Sequence, residues 1–356
     1  KRMKNFLIKD IRVWVLSIPL MAACAVFAVS AKAQTALPQP VVVDTPMVHD
    51  PVMAYENGKY YLYCTGHGVA QMTSTDRQHW TLNPQGVLKD EARGAFPAWT
   101  HDSVPGYESH TWAPDVIRYK DKWYMAYSCS TFGKNTSAIG LLSNSSLADT
   151  DGWKDEGCLI SSKGGRDNWN AIDPNFIVDE KGNPWLTWGS FWDGIQMIKL
   201  DKKTMHVKKG AKPQTIARRH AVGDTSAEPN PTSKFAGTNA IEAPFIMKHG
   251  GYYYLFVSWD YCCQGMKSTY RVAVGRSRKV AGPYLDKEGK DMRNGGGTLL
   301  LEGDKKEYEA MGHCSAYPFP DGDFFFCHGY SVPKNGASIL VQKKINWTKD
   351  GWLTLE

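Results

Sequence analysis

Several common catalytic signatures are missing from this chain of 356 residues. It has no GxSxG nucleophile elbow, no phosphate-binding P-loop and no HExxH metalloprotease motif. Its cysteines include no pair of CxxC motifs at the spacing of a zinc site. Runs of apolar residues at helical spacing are also scarce. These absences argue against serine hydrolases, P-loop nucleotide hydrolases, zinc proteases and helical folds.

A surplus of charge is also absent once the first 33 residues are set aside. That segment holds six of the 42 Lys and Arg residues and one of the 36 acidic residues, which leaves 36 basic and 35 acidic residues, a net charge of +1. The formal charge of +6 therefore comes mostly from the N-terminal segment. A nucleic-acid-binding surface is not expected on such a chain.

The same N-terminal segment has the composition of an export signal. A basic start precedes an apolar run from Val13 to Ala31, and an Ala-Lys-Ala sequence ends at residue 33. We expect residues 1–33 to be a signal peptide and residues 34–356 to be an exported domain, periplasmic or extracellular. An uncleaved membrane anchor is the alternative, because the apolar run is nearly long enough to span a bilayer.

The cysteines after the signal segment are odd in number. They are Cys64, Cys129, Cys158, Cys262, Cys263, Cys314 and Cys327. Several lie inside strand-like apolar runs, which indicates small buried hydrophobic side chains rather than a disulfide framework. Adjacent Cys262 and Cys263 could form a vicinal disulfide, and the sequence leaves that open.

The chain is rich in aromatic residues, with 13 Trp, 17 Tyr and 13 Phe. They gather with Val and Ile in short runs that are broken by Gly, Asn, Asp and Pro. Such runs are typical of strands joined by tight turns, and the turns include the hairpin pairs Asn57-Gly58 and Gly250-Gly251. The pattern predicts an all-β chain.

One pattern recurs five times: an acidic or polar residue, often beside Pro, then an apolar run, a turn and an aromatic-rich run. The repeats read HDPVMAYENG, WAPDVIRYKD, AIDPNFIVDE, IEAPFIMKHG and GHCSAYPFPD and begin at residues 49, 112, 171, 241 and 312. Units of roughly 60–70 residues repeated in this way are typical of propeller blades. We therefore predict a single-domain, five-bladed β-propeller.

The acids at the heads of these units are Asp50, Asp115, Asp173 and Glu242, and His313 takes the matching place in the fifth. The innermost strand of each blade lines the axis of a propeller, so we expect these side chains to meet in one funnel. Clustered carboxylates shift one another's pKa values and are costly unless they bind a cation or do chemistry. Asp115 follows its Pro, whereas Asp50 and Asp173 precede theirs, and Asp115 is the candidate for a structural role.

Carboxylates without a nucleophile motif point to general acid–base catalysis. Glycoside hydrolysis uses such a pair, in which one carboxylic acid protonates the leaving oxygen and one carboxylate activates water or attacks directly. A further carboxylate can raise the pKa of the acid by repulsion. Trp112, Phe191 and Trp192 lie near the strand heads, where they could stack on sugar rings; packing between blades is the alternative for each.

These motifs resemble those of glycoside hydrolase family 43, whose members are five-bladed propellers. HDPV, AIDPN and IEAPF carry the likeness at residues 49–52, 171–175 and 241–245. The runs TWAPDV, STFGKNTSAIGLLSNSSL, WGSFWDGIQMIKL and SWDYCCQGMKSTYRVAVGRS are similar, in that order, to motifs of its endo-1,5-α-L-arabinanases. The likeness extends over residues 44–330 and is looser beyond His313.

The resemblance implies a role for each carboxylate. Asp50 would be the general base that activates water, Glu242 would be the general acid, and Asp173 would raise the pKa of the acid and orient it. Enzymes of this kind invert the anomeric centre, so the base and the acid should stand about 6.5–9.5 Å apart. The implied activity is endo-hydrolysis of α-1,5-linked L-arabinan.

Contacts with substrate and with an ion are implied as well. The implied substrate-binding residues are Trp112, Gly133, Asn170, Ala171, Ile172, Ser190, Phe191 and Trp192. His313 matches a histidine that helps to hold calcium or a similar ion at the propeller axis, mostly through waters. Calcium prefers oxygen ligands, and an ordinary axial histidine that binds water is the alternative.

The expected partner is a polysaccharide, the arabinan of pectin side chains. We expect a monomer without a nucleic-acid partner, and membrane contact only through an uncleaved N-terminal segment. Two features bear on the shape of the cleft: Asp193 adds an acid beside it, and the polar loop at 218–239 leads into Glu242. A loop that closes one end of the cleft would convert endo cleavage to exo cleavage.

Three alternatives stay open. An exo-acting arabinanase, an α-L-arabinofuranosidase or a β-xylosidase would keep the same family. A catalytically silent sugar-binding propeller would be favoured if Asp50, Asp173 or Glu242 were missing, and all three are present. A fructan- or sucrose-cleaving propeller should have Arg-Asp-Pro and Glu-Cys, whereas this chain has Ile-Asp-Pro and Glu-Ala.

Overall fold

Antiparallel hairpins account for almost all of the regular structure, as runs of aromatic and β-branched residues favour. A computed structural model describes residues 41–88, 97–224, 230 and 236–356, and these residues belong to one compact unit. Among them are 22 strands in five sheets. The expected signal peptide lies outside the described residues. Within the described ranges, no helix is long and apolar enough to cross a membrane.

The strands follow the chain in five consecutive groups. Residues 42–83 form β1 (Val42–Val43), β2 (Val52–Glu56), β3 (Lys59–Cys64), β4 (Gly66–His67), β5 (Ala70–Ser74) and β6 (Trp80–Asn83). Residues 110–162 form β7 (His110–Tyr119), β8 (Lys122–Cys129), β9 (Ser137–Asn144) and β10 (Lys154–Ser162). Residues 175–217 form β11 (Asn175–Val178), β12 (Pro184–Trp188), β13 (Ile195–Lys199) and β14 (Gln214–Ala217).

The last two groups complete the set. Residues 241–301 form β15 (Ile241–His249), β16 (Tyr252–Trp259), β17 (Arg271–Ser277) and β18 (Thr298–Leu301). Residues 308–355 form β19 (Tyr308–Phe319), β20 (Gly322–Ser331), β21 (Ala337–Trp347) and β22 (Leu353–Leu355). A short helix, α1 (Trp99–Ser103), and two 3₁₀ turns, Gly265–Lys267 and Met292–Asn294, lie in the connections.

Each group is one blade, in which successive strands pair as in a meander. The first strands β2, β7, β11, β15 and β19 each contact the first strands of both neighbouring blades. They therefore close a ring around a common axis, and the chain is a five-bladed β-propeller, as predicted. One exchange links the first two blades, because β4 leaves the first blade and pairs with β7.

The N-terminal segment joins the two ends of this ring. β1 pairs with β6, the outer strand of the first blade. A few residues later the same segment pairs with β21 of the last blade. Its contacts there are a bridge from Met47 to Ile339 and a hydrogen bond of 3.2 Å from the Val48 N–H to the Ser338 carbonyl. The first and last blades are thus held together by backbone hydrogen bonds.

Five hydrophobic clusters fill the five spaces between neighbouring blades. Alternate residues of each second strand face opposite spaces, because side-chain direction alternates along a strand. On β3, Tyr61 and Tyr63 pack towards the second blade and Leu62 packs towards the fifth. On β20, Phe325 and Phe326 divide in the same way. The second strands are therefore apolar on both faces, which explains their continuous aromatic runs.

One residue at the head of every first strand has a left-handed backbone. The backbone angle φ is 57° at Asp50, 41° at Ala113, 59° at Asp173, 54° at Ala243 and 51° at His313. In β7, β15 and β19 the pairing register shifts at this point, which is the signature of a β-bulge. A positive φ is uncommon outside glycine, so five equivalent cases indicate a constraint imposed by the fold.

This repeated bulge corrects the alignment of the acids. Asp50, Asp173 and His313 are equivalent, as expected. Glu242 lies one residue before the left-handed residue of its blade, and Asp115 lies two residues after its own. The expected alignment was wrong for Glu242, because it followed closeness to Pro, whereas the feature that repeats is the backbone conformation. A different register for Asp115 was expected.

Asp115 links the second blade to the third. Its Oδ2 accepts hydrogen bonds from the Phe176 N–H at 2.7 Å and from the side-chain amide of Asn175 at 3.2 Å. Burial raises the pKa of Asp115 to about 7, although these hydrogen bonds oppose the shift. Its role is structural, as its different place relative to Pro indicated.

The five left-handed residues share a second property, which we call the axial hydrogen-bond ring. Each backbone N–H donates to a side chain of the preceding blade. The donations run from Ala113 to Thr65 (2.9 Å), Asp173 to Ser128 (3.1 Å), Ala243 to Asp173 (3.1 Å), His313 to Ser258 (2.8 Å) and Asp50 to His328 (3.1 Å). The ring satisfies the amides that the bulges remove from the sheets, and it fixes the strand heads relative to one another.

The space between the fourth and fifth blades offers a test of the core. Phe256 is fully buried there, edge-on to Phe325 at 6.0 Å between ring centroids. We expect Phe256→Ala to lower the free energy of unfolding by about 3–5 kcal/mol, measured by urea denaturation, because it leaves a cavity. Leu299→Ala is the control, since Leu299 is 42% exposed on β18. A loss of equal size in both variants would contradict this account of the core.

Candidate active site

A cavity of about 480 Å³ lies at the heads of the first strands, beside the axial hydrogen-bond ring. All five blades contribute to its wall. The residues expected from the sequence that line it are Asp50, Trp112, Gly133, Asn170, Ile172, Asp173, Ser190, Phe191, Trp192, Glu242 and His313. Ala171 does not line it: the residue is fully buried between the second and third blades, and its N–H donates to the Ser162 hydroxyl at 2.9 Å.

The neighbours of Asp50 favour its ionised form. Its Oδ1 lies 2.9 Å from Nδ1 of His313, and its Oδ2 accepts the hydroxyl of Thr65. That hydroxyl oxygen accepts the N–H of Ala113, which leaves its proton for Asp50. Burial opposes the negative charge, but the charge and hydrogen bond of His313 outweigh it. The pKa of Asp50 therefore lies far below its usual range.

His313 is the positive partner of this buried pair. Burial alone would favour the neutral imidazole. The negative charges of Asp50, Asp173 and Glu242, with Asp50 the largest contributor, outweigh burial and raise the pKa of His313 to about 9. One cation thus lies beside the ionised Asp50, in a cavity that holds two further carboxyl groups.

His328 is a residue that sequence reasoning missed. Its Nδ1 accepts the backbone N–H of Asp50 at 3.1 Å, so in the neutral ring the proton is on Nε2. Burial and the nearby ring of His49, 4.4 Å away between centroids, lower the pKa of His328 well below its usual range. The signal in the sequence was a single histidine inside the apolar run FFFCHGY.

Glu242 is held by two hydroxyl groups. Ser190 donates to its Oε2 and Tyr270 donates to its Oε1, each at 2.7 Å. Burial raises the pKa of Glu242, and repulsion by Asp50 adds to this, although both hydroxyls favour the charged form. Glu242 therefore tends to keep its proton in the same cavity in which Asp50 loses its own.

Asp173 contacts the backbone beside Glu242. Its Oδ2 accepts the N–H of Ala243 at 3.1 Å. Burial and repulsion from Glu242 and Asp50 raise the pKa of Asp173 well above its usual range, while His313 lowers it. The residue thus fixes the position of the strand that carries Glu242, and it is electrostatically coupled to that carboxyl group.

Tyr270 reaches Glu242 because Gly312 makes room for its ring. A Cβ atom on residue 312 would lie 2.1 Å from Cδ1 of Tyr270, far inside van der Waals contact. Gly312 directly precedes His313, so one glycine serves both the tyrosine and the bulge. In the sequence this glycine belongs to the GHCS motif, but nothing in the motif indicates that a tyrosine ring packs against it.

Aromatic side chains form two parts of the cavity wall. On one side the indole N–H of Trp112 donates to Nδ1 of His110 at 3.0 Å, which sets the plane of the indole. On another side Phe191 lies 6.0 Å from Tyr261 between ring centroids. Phe132 also lines the cavity and is 63% exposed. Exposed faces of this kind suit the apolar faces of sugar rings.

Phe191 and Trp192 owe their place to a strained turn. Both have positive φ, at 57° and 42°. The turn is held because the Phe191 N–H donates to the Ile241 carbonyl at 2.9 Å and its own carbonyl accepts the Gly194 N–H at 2.7 Å. Such backbone strain is typical of functional sites.

Asp193 does not belong to the site. Its Oδ1 lies 2.7 Å from Nε of Arg218, and its Oδ2 accepts Nη2 of Arg218 at 3.0 Å and the Thr215 hydroxyl at 2.6 Å. It is not part of the cavity wall. The polar loop at 218–239 falls partly outside the described residues.

Comparisons with known proteins place these observations in a family. The profile of "Glycosyl hydrolases family 43" matches residues 39–353. The chain is 42% identical over 308 residues to the extracellular exo-α-(1→5)-L-arabinofuranosidase ArbA of Cellvibrio japonicus, covering 86% of this chain and 85% of that protein. It is 38% identical over 336 residues to the extracellular endo-α-(1→5)-L-arabinanase 1 of Bacillus subtilis, covering 93% and 94%.

A solved structure agrees with these matches. The exo-1,5-α-L-arabinanase from a bovine ruminal metagenomic library superposes with a TM-score of 0.79 at 52% sequence identity. The superposition covers 88% of this chain and 98% of that protein. The likeness in structure thus extends over almost the whole length of that relative.

The space around Gly312 gives a test of the site's packing. We expect Gly312→Ala to cost about 1–3 kcal/mol of unfolding free energy by overpacking, measured by thermal denaturation. Gly164→Ala is the control, because the nearest atom to its added Cβ is the Asn135 side-chain oxygen at 3.3 Å, which can move. Equal melting temperatures for the Gly312 variant and the unmodified protein would contradict the close approach of Tyr270.

Proposed function

This chain belongs to the glycosyl hydrolases of family 43, and we propose that it hydrolyses α-1,5-linked L-arabinan with inversion at the anomeric carbon. One observation carries the assignment of roles. Two carboxyl groups share a cavity, and their surroundings push their pKa values apart, downwards for Asp50 and upwards for Glu242. Such a pair provides a base and an acid at the same pH.

In the proposed reaction Asp50 accepts a proton from a water, and the water oxygen attacks the anomeric carbon. Glu242 donates its proton to the departing glycosidic oxygen as the bond to that oxygen breaks. Asp173 acts as a positioning residue, because it binds the Ala243 N–H next to the acid. Repulsion between the two carboxyl groups also disfavours ionisation of both at once. Trp112 and Phe191 would hold the furanose rings.

The position of cleavage along the chain has two candidates. Endo cleavage is the expectation from the sequence motifs, and the B. subtilis relative at 38% identity is named as endo-acting. Exo cleavage is the second candidate, because the relatives at 42% and 52% identity are both named as exo-acting. We also propose export from the cell, since the C. japonicus and B. subtilis relatives are named extracellular.

Early products distinguish these candidates. The mature protein is incubated with linear α-1,5-arabinan, and products are separated within the first minutes. A ladder of oligosaccharides supports endo cleavage, and a single short product supports exo cleavage. No product from arabinan, xylan or aryl arabinofuranosides would refute the proposed function and leave a sugar-binding propeller.

We expect Glu242→Gln to lose about 10²–10⁴-fold in kcat on arabinan, since the amide cannot donate the proton. The loss should be much smaller on an aryl arabinofuranoside whose phenolate leaves without protonation. Wild-type kcat should fall as the pH rises through the raised pKa of Glu242, because only the protonated form acts. Equal losses on arabinan and on the aryl arabinofuranoside would show that Glu242 is not the acid. Asp50→Asn is the comparison, because it should lose activity on both substrates.

Calcium at His313 is part of the proposal, and the residues present fit it in one respect. His313 Nδ1 is engaged by Asp50 at 2.9 Å, an arrangement that commonly orients a metal-binding imidazole. Nε2 would be the ligand atom, and binding would release the proton that it carries in the imidazolium form. Water oxygens would supply the other ligands that calcium prefers. When bound, the ion would supply positive charge among the three carboxyl groups. His49, Asp50 and His328 form a second group of potential ligand atoms, all within 4.8 Å of one another.

Removal of the ion is expected to destabilise the protein. Exhaustive chelation followed by dialysis should lower the melting temperature, and added calcium should restore it, because an ion at about 100 times its Kd contributes about 2.7 kcal/mol. His313→Gln is the matched variant and should show no calcium response. An unchanged melting temperature and activity after chelation would refute a resident ion.

A further inference from the structure

Cys262 and Cys263 form a disulfide in the wall of the cavity. The other cysteines of the described residues, Cys64, Cys129, Cys158, Cys314 and Cys327, are thiols. A bridge between adjacent residues closes a ring with a single peptide bond, so it hardly restricts the unfolded chain and adds little to global stability. Its effect must therefore be local.

On one side the disulfide packs against the tyrosine that binds the acid. Cys262 lies against a buried cluster of Tyr270, Ala310 and Tyr330. The Tyr270 hydroxyl donates to Oε1 of Glu242 at 2.7 Å. A shift of Cys262 would therefore move the Tyr270 ring, and with it the hydroxyl that binds Glu242, the proposed proton donor.

On the other side the disulfide binds the tyrosine next to the base. The Cys263 N–H donates to the Tyr330 hydroxyl oxygen at 2.6 Å. The Tyr330 ring is edge-on to His328, with 5.3 Å between centroids. His328 in turn accepts the backbone N–H of Asp50. The same pair of cysteines thus connects to both proposed catalytic residues.

The loop that carries the disulfide is otherwise closed on itself. Thr269 N–H donates to the Tyr261 carbonyl at 2.9 Å, and Tyr261 N–H donates to the Thr269 hydroxyl at 3.2 Å. The loop also presses on the last blade, where a Cβ on Gly336 would lie 2.6 Å from the Met266 nitrogen. Cys263 itself has a φ of 65°, a conformation that few residues other than glycine adopt without support.

We propose that the Cys262–Cys263 disulfide is a clamp that sets the positions of Tyr270 and Tyr330, and through them the spacing of Glu242 and Asp50 about the glycosidic bond. The clamp is a positioning element and deepens the proposed function, on which it rests. An inverting enzyme needs a defined gap between acid and base, so that water fits on one face of the sugar. A rigid bridge between the two supports meets that need.

Selective reduction tests the clamp. A phosphine reductant transfers two electrons to the disulfide and the S–S bond breaks. Water supplies the two protons that the sulfurs gain and the oxygen of the phosphine oxide. Cys263 is exposed in the cavity wall, so the reagent can reach it, and thiol titration confirms completion. We expect kcat on arabinan to fall by about tenfold, since small misplacements of reacting groups are costly. KM should change less, and the melting temperature should stay the same.

Two variants complete the experiment. Cys262→Ala/Cys263→Ala should show the same loss of kcat and no further response to the reductant. Cys158→Ala, which removes a partly buried thiol outside the cavity wall, should match the unmodified protein before and after reduction.

Full reduction with unchanged kcat overturns the clamp, and so does a fall in melting temperature that accounts for the lost activity. Inactivity of the oxidised protein on arabinan would instead remove the proposed function itself.

Discussion

The hydrogen bond from each left-handed strand head to the preceding blade is the interaction on which the site depends. The left-handed residue at the head of each first strand has its backbone N–H outside the sheet pairing, and a buried N–H must find another acceptor. In all five blades the acceptor is a side chain of the neighbouring blade. The same backbone turn that creates this need also aims the side chains of Asp50, Asp173 and His313 at the axis.

Charge at the axis follows from this geometry. Carboxyl groups brought together by the ring cannot all ionise at low cost in a buried site. The tendency to ionise differs between the two residues. Asp50 contacts the cationic His313 and the Thr65 hydroxyl, whereas Glu242 accepts hydrogen bonds from neutral hydroxyls only. The difference between a base and an acid is therefore a difference in neighbours, supplied by different blades.

The architecture could be predicted from the sequence, because strand alternation, hairpin turns and a repeat are local signals. The motifs of the family resemblance indicated only part of the cavity wall. The places of Glu242 and Asp115 relative to the left-handed residue of their blades could not be predicted, since no single residue type marks that backbone conformation. His328, Thr65 and Tyr270 were missed for a related reason. His328 acts from a second strand on a residue of another blade, whereas Thr65 and Tyr270 reach an acid of their own blade from a loop. No spacing in the chain records these contacts. Ala171 does not line the cavity, although its neighbours Asn170 and Ile172 do.

The pairing of the N-terminal segment with β21 has a consequence for how the molecule reaches its native state. Ser338 donates its hydroxyl to the carbonyl of Val48 at 2.5 Å, across 290 residues of chain. The ring therefore cannot close until the last blade exists, and without that blade the apolar faces at the two ends of the arc are uncovered. Closing so long a loop is entropically expensive and slow. During synthesis or export, blades one to four form an arc that is still open. The catalytic funnel is complete only when residues 47–48 pair with residues 338–339 of the last blade.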